Sequence, residues 1–132
     1  MKPRLSLCIA LALFGSAQAA LAQDPVKLSP NLYRVLLEND QVRVLEYRVK
    51  PGDKEPLHSH PAAVVYVFTD GKAKATTPDG KSQIIDSKAG ETIWAEPVTH
   101  AWEYLGPGNG RVLIVELKKP DSPRRKPAGN GR

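Results

Sequence analysis

The chain carries three histidines, and their placement is uneven. His58 and His60 stand two residues apart in "PGDKEPLHSHPAAVVYVFTDG", and His100 lies downstream in "AEPVTHAWEY". In an extended strand, residues i and i+2 project from one face. The imidazoles of His58 and His60 can then converge on one ion, with nitrogen–metal distances of about 2.0–2.1 Å. His100 can add a third nitrogen from another strand, with Trp102 and Tyr104 at the same parity. Spacing alone equally suits solvated turn histidines ahead of Pro61 and a hydrogen-bonded strand histidine at position 100. No Ser-His-Asp arrangement has local support, and no Gly-rich phosphate loop occurs.

These side chains have to be positioned by strands. From about Asn31 the chain reads as short β-rich runs separated by turn residues. "LYRVLLE" precedes Asn39-Asp40, "QVRVLEYRV" ends at Pro51-Gly52, and "AAVVYVFT" stops at Asp70-Gly71. "KAKATT" and "KSQIID" flank Pro78-Asp79-Gly80, a hairpin signal. "ETIWAE", "THAWEYL" and "RVLIVEL" complete the series. No segment of helical length has a 3.6-residue apolar period with caps. The pattern predicts an all-β sandwich or small barrel. If the strand register survives Pro61, Val64, Tyr66 and Phe68 share the face of His58 and His60. Together with Trp102 and Tyr104 they would form an aromatic mouth suited to a small-molecule ligand. Core filling by Phe68 and Trp102 explains the same pattern. By the same alternation, Glu46 falls on one face with Val42, Val44 and Arg48, as a paired carboxylate or a proton acceptor near the site.

The stretch Gly52, DKEPL, His58-Ser59-His60, PAA, Val64, VYVFTD, Gly71 resembles the first motif of the cupin family. "GETIWAEPVTHAWEY" resembles the second, through Gly90, Pro97 and His100, with Tyr104 at the position of the family's Asn. The resemblance spans most of residues 31–117 and implies a double-stranded β-helix, a jelly-roll barrel with a metal in its mouth. It implies His58, His60 and His100 as ligands of a divalent ion such as Fe, Mn, Zn, Ni or Cu. The family's fourth ligand, a Glu, falls on Val64, or on Val65 with the longer family spacing. Three neutral imidazoles leave the ion its full double charge, which weakens its retention and acidifies a bound water more.

The rest of the chain sets the context. Residues 1–22 run basic, apolar, then small, from Lys2 and Arg4 to Ala20-Leu21-Ala22, which is the order of a secretory signal. Ala17-Gln18-Ala19 offers a second cleavage point. Cleavage after Ala22 predicts a periplasmic or secreted protein with no membrane span. The only cysteine, Cys8, lies within that signal, so neither thiol nor disulfide remains. The full chain carries a net charge of +5. Removing Lys2 and Arg4 leaves +3, the tail 118–132 alone carries +5, and residues 23–117 are therefore −2. The high pI belongs to a basic, Pro- and Gly-rich tail that reads as disordered. No basic patch interleaved with aromatics points to nucleic acid. The sequence thus predicts a signal (1–22), a cupin domain (23–117) and a basic tail (118–132). The resemblance, together with the unpaired backbone of open sheet edges, adds a homodimer. Two functions fit: a metal-dependent enzyme acting on a small organic acid, ketone or thiol, and a non-catalytic module that binds or senses a small molecule with weak or no metal.

Overall fold

The structure, a computed structural model, describes residues 23–119. The expected signal and all but the first two residues of the expected tail lie outside them. The described chain is one short helix followed by strands: α1 (Pro25–Leu28), β1 (Tyr33–Glu38), β2 (Val42–Val49), β3 (Lys54–His60), β4 (Ala63–Val67), β5 (Gly71–Thr76), β6 (Ser82–Ser87), β7 (Thr92–Ala95), β8 (Val98–Gly106) and β9 (Gly110–Leu117). They form two antiparallel sheets, ordered β1-β2-β9-β4-β7 and β3-β8-β5-β6. This is the all-β architecture that the alternation of apolar runs and turns predicts, in the jelly-roll form that the cupin resemblance implies. No helix among the described residues is long and apolar enough to cross a membrane.

Alternation along each strand builds the interior. Leu45, Tyr47 and Val49 of β2, Ala63 and Val67 of β4, Ala73 and Ala75 of β5, and Ile114 of β9 are buried between the sheets. The turn sequence Pro78-Asp79-Gly80 closes the β5–β6 hairpin, with Gly80 at φ 83°, a backbone conformation that glycine adopts without strain.

Two elements escaped the pattern. β3 contains Pro56, which interrupts a β-rich reading, but β3 is an edge strand, where a missing N–H costs no ladder bond. α1 is a single turn whose signal is local: Asp24 caps it by accepting from Val26 N at 3.0 Å, and Pro25 begins it. Pro25 is fully buried, so this turn is packed against the barrel.

Inward parity also corrects an expectation. Glu46 shares a face with Val42 and Val44, but the side of β2 turned to the interior is Leu45-Tyr47-Val49. Glu46 lies on the opposite face, covered by Arg48 at 2.9 Å and Arg111 at 2.7 Å. It is a paired carboxylate remote from the histidines, and not a proton acceptor for them.

Candidate metal centre

β3 and β8 are direct neighbours, and their register sets His58 opposite His100. His60 follows two residues along β3 on the same face. The ring centroids lie 4.8 Å apart for His58–His100, 4.9 Å for His58–His60 and 5.8 Å for His60–His100. One ligand nitrogen from each lies within 4.8 Å of the others, so the three form a group able to hold a metal ion. On the other face, Ser59 and Thr99 join their hydroxyls at 2.7 Å and pin the same two strands together.

The surroundings of each ring set its electronic state. His58 is 1% exposed, and its Nδ1 donates to the Pro56 carbonyl at 2.8 Å. That fixes the proton on Nδ1 and leaves the Nε2 lone pair, which is buried and without a partner. His60 Nδ1 meets Glu116 Oε1 at 2.7 Å, so its Nε2 is likewise left for an ion. Burial holds the imidazoles of His58 and His100 below their usual range, and that of His100 drops to about 3 with His58 and His60 adding to the effect. Neutral imidazoles are the ligating form. A buried, unpartnered nitrogen between two further imidazoles is what a metal-binding set would display, and the donors fit a divalent ion.

Glu116 extends the site outward. It is 2% exposed and also accepts from Arg43 Nε at 2.7 Å, while Arg43 Nη1 reaches Asp24 at 3.0 Å. Burial raises the Glu116 carboxyl, but the hydrogen bonds from His60 and Arg43 outweigh it and hold the group below the usual carboxylate range. Asp24, Arg43, Glu116 and His60 thus form one chain of charge-assisted contacts from α1 to the ion site. None of the first three stands out in the sequence as a site residue. Glu116 did carry a signal: in "RVLIVEL" it shares the parity of Val112 and Ile114.

A cavity of about 550 Å³ opens beside the histidines. Its walls include all three of them, together with Trp102, Tyr104 and Val65. Val64, Tyr66 and Phe68 do not line it. They occupy the opposite face of β4 and its continuation, where Tyr66 and Phe68 are exposed and pack edge to face, with Arg111 over the Phe68 ring. The register across Pro61 fails because the chain changes sheet there: β3 belongs to one sheet and β4 to the other. Pro61-Ala62 make the corner, so the inward series of β4 is Ala63, Val65 and Val67. Of the two valines at which the motif's Glu could fall, Val65 lines the cavity and Val64 does not. Glu55 also escapes a reading of the sequence. It is 4% exposed, lines the cavity, and accepts from the Tyr47 hydroxyl at 2.6 Å.

No protein-family model matches this sequence, and no curated protein is similar to it at a significant level. Solved structures are similar. A cupin domain from Bordetella pertussis shares 27% identity at a TM-score of 0.61, with 66% of this chain and 92% of that chain covered. A cupin superfamily protein from Desulfitobacterium hafniense gives 17% identity and 0.51, over 67% and 77%. A cupin family protein with a double-stranded β-helix fold, from Methanocaldococcus jannaschii, gives 13% and 0.54, over 67% and 80%. With two antiparallel sheets, an HxH strand facing a third histidine, and these neighbours, the chain has the double-stranded β-helix fold of the small single-domain cupins.

Proposed function

We propose that the chain is an exported three-histidine metal cupin, an enzyme that holds a divalent ion on His58, His60 and His100 and acts on a small organic acid, ketone or thiol. The observation that carries this reading is the pair of locked tautomers. Pro56 takes the Nδ1 proton of His58, Glu116 takes that of His60, and the buried Nε2 of His58 has no partner among the described residues. An ion bound there supplies a Lewis acid for a substrate oxygen or sulfur, or an acidified water. The protein's own part is positional: Glu116 and Pro56 orient the rings, and the largely apolar walls shape the pocket beside them. Export is supported by the basic–apolar–small order of residues 1–22, which lie outside the described region.

A second reading, a binding module without turnover, is favoured by one observation. Val65 lines the cavity with the histidines and offers no carboxylate to neutralise part of the ion's charge. Metal analysis of protein purified without a chelating tag tests the proposal. About one ion per chain is expected, removable by chelator and abolished by His58→Ala. Protein that takes up no Fe, Mn, Zn, Ni or Cu refutes the metal site. A loaded protein that binds but never converts a panel of small acids, ketones and thiols leaves the binding module.

A further inference from the structure

Buried side-chain polar atoms without partners are rare in folded proteins, and each needs an explanation. Among the described residues they are Glu55 Oε1, His58 Nε2, Trp102 Nε1 and Tyr104 Oη. All four residues line the same cavity, and all stand on the neighbouring strands β3 and β8. An ion accounts for His58. It does not account for an indole N–H, which cannot ligate, nor for Glu55, which lies outside the group of converging ligand atoms.

The strand register arranges these atoms in order. His58 faces His100, and Glu55 faces Trp102. Glu55 and His58 are three residues apart, so simple alternation would put them on opposite faces. The ladder is irregular between them, with three steps on β3 against two on β8, and this bulge turns both inward. Trp102 is two residues beyond His100 on the same face, about 7 Å farther along the strand. Glu55 Oε2 is held by Tyr47, and the Tyr33 hydroxyl lies near the same carboxylate without closing a hydrogen bond to Oε1, which stays an unpartnered acceptor; the indole of the facing Trp102 is a donor only.

We infer that Glu55 and Trp102 form a hydroxyl-binding rung, so that the ligand is a mainly apolar molecule bearing an uncharged hydroxyl about 7 Å from the group held at the histidines. This rests on the reading that a ligand reaches the three-histidine site. A hydroxyl serves both atoms: its O–H donates to Glu55 Oε1, and its oxygen accepts from Trp102 Nε1. An ammonium cannot accept from the indole, and a carboxylate has no proton for Glu55 and is repelled by it. The two cationic residues on the cavity wall do not change this balance, because Lys72 pairs with Asp86 and Arg111 with Glu46.

Two probes differing by one hydroxyl test the rung: 4-hydroxyacetophenone, whose carbonyl and para oxygens have about this separation, and acetophenone. Each is titrated by calorimetry into the full chain, metal-stripped and metal-loaded. The hydroxylated probe should bind about tenfold or more tightly in both forms, as a hydrogen bond to a charged group allows. Glu55→Gln and Trp102→Phe should each reduce that preference, read as the ratio of the two affinities within each variant, to less than about threefold. Equal affinities, or no measurable binding of either probe, overturn the rung, as does a preference that survives both variants. Loss of metal on Glu55→Gln would make the carboxylate a ligand and overturn it too. If the protein takes up no ion at all, the preference in the stripped form still decides the rung separately from the metal reading.

Discussion

Glu116→Gln separates a carboxylate that orients a ligand from one that merely fills a core. Glu116 accepts from two donors at 2.7 Å, Arg43 Nε and His60 Nδ1. A glutamine has one acceptor oxygen and one donor nitrogen in the same volume. If its oxygen stays with Arg43, its NH₂ faces His60 Nδ1. The imidazole must then shift its proton to Nε2, which removes the lone pair the ion needs. If the oxygen stays with His60, the NH₂ opposes the Arg43 N–H, and the guanidinium keeps only Asp24. The expected loss of metal affinity is the roughly 10–100-fold typical of an outer-shell partner, or about 1.4–2.8 kcal/mol. The stability cost should be about 1–3 kcal/mol, below that of full deletion because Asp24 still pairs with Arg43. Competition against a chelator of known affinity reads the first quantity, and urea unfolding of the stripped protein reads the second. Metal affinity within about twofold of wild type, alongside a measurable stability loss, would refute the orienting role and leave Glu116 as a structural ion pair.

Val65→Glu should raise affinity for divalent ions in the same competition assay, whereas Val64→Glu, on the outer face of β4, should not; a gain from Val64→Glu alone would invert the register. Acid should unfold the metal-free protein early. His58 and His100 stay neutral in the fold, while their unfolded imidazoles take protons from about pH 6.5 downward, so stability is complete above that pH and falls as pH falls. For His100, with its ordinary value of 6.5 lowered to about 3, the loss between about pH 6.5 and 4.5 is about 2–3 kcal/mol by denaturant titration, and a flat profile would contradict its burial. Gly110→Ala should cost about 1–3 kcal/mol by thermal unfolding, because its Cβ would lie 2.8 Å from both Tyr104 Cζ and Val49 Cγ2. Intact-mass measurement on protein from its native envelope fraction should find a chain starting at Gln23, and one starting at Met1 would end the export proposal.

Strand parity made the histidine trio legible. His58 and His60 share a face by alternation, and the spacing of the motif around Gly52 and Gly90 supplied His100. The ladder of β-rich runs and turn residues made the fold legible for the same reason: each sheet buries one face, so the apolar period survives in the sequence. Parity is reliable only within a strand. It failed at Pro61-Ala62, where the chain crosses between sheets and "inward" acquires a new reference, and that single corner misplaced Val64, Tyr66 and Phe68. It failed again between Glu55 and His58, where a bulge inserts one residue. The partners of Glu116 were beyond reach for a different reason. Arg43 meets it across 73 positions of chain, with Asp24 joining from farther still, and no local pattern encodes such a meeting.

The pairing of β3 with β8 also governs how the protein must be made. His58 and His100 are separated by 42 positions of chain (100 − 58), and they become neighbours only after β4 to β7 have been laid down between them. Glu116 joins them only when the final strand inserts between β2 and β4. Closing such long loops is slow compared with forming a hairpin. The nascent chain therefore offers a metal just the His58–His60 pair, too few nitrogens to hold it firmly. A metal held by that pair alone is a poor nucleus for the fold. On the proposed metal reading the ion binds once the barrel has closed, so the loaded protein should unfold more slowly than the stripped one.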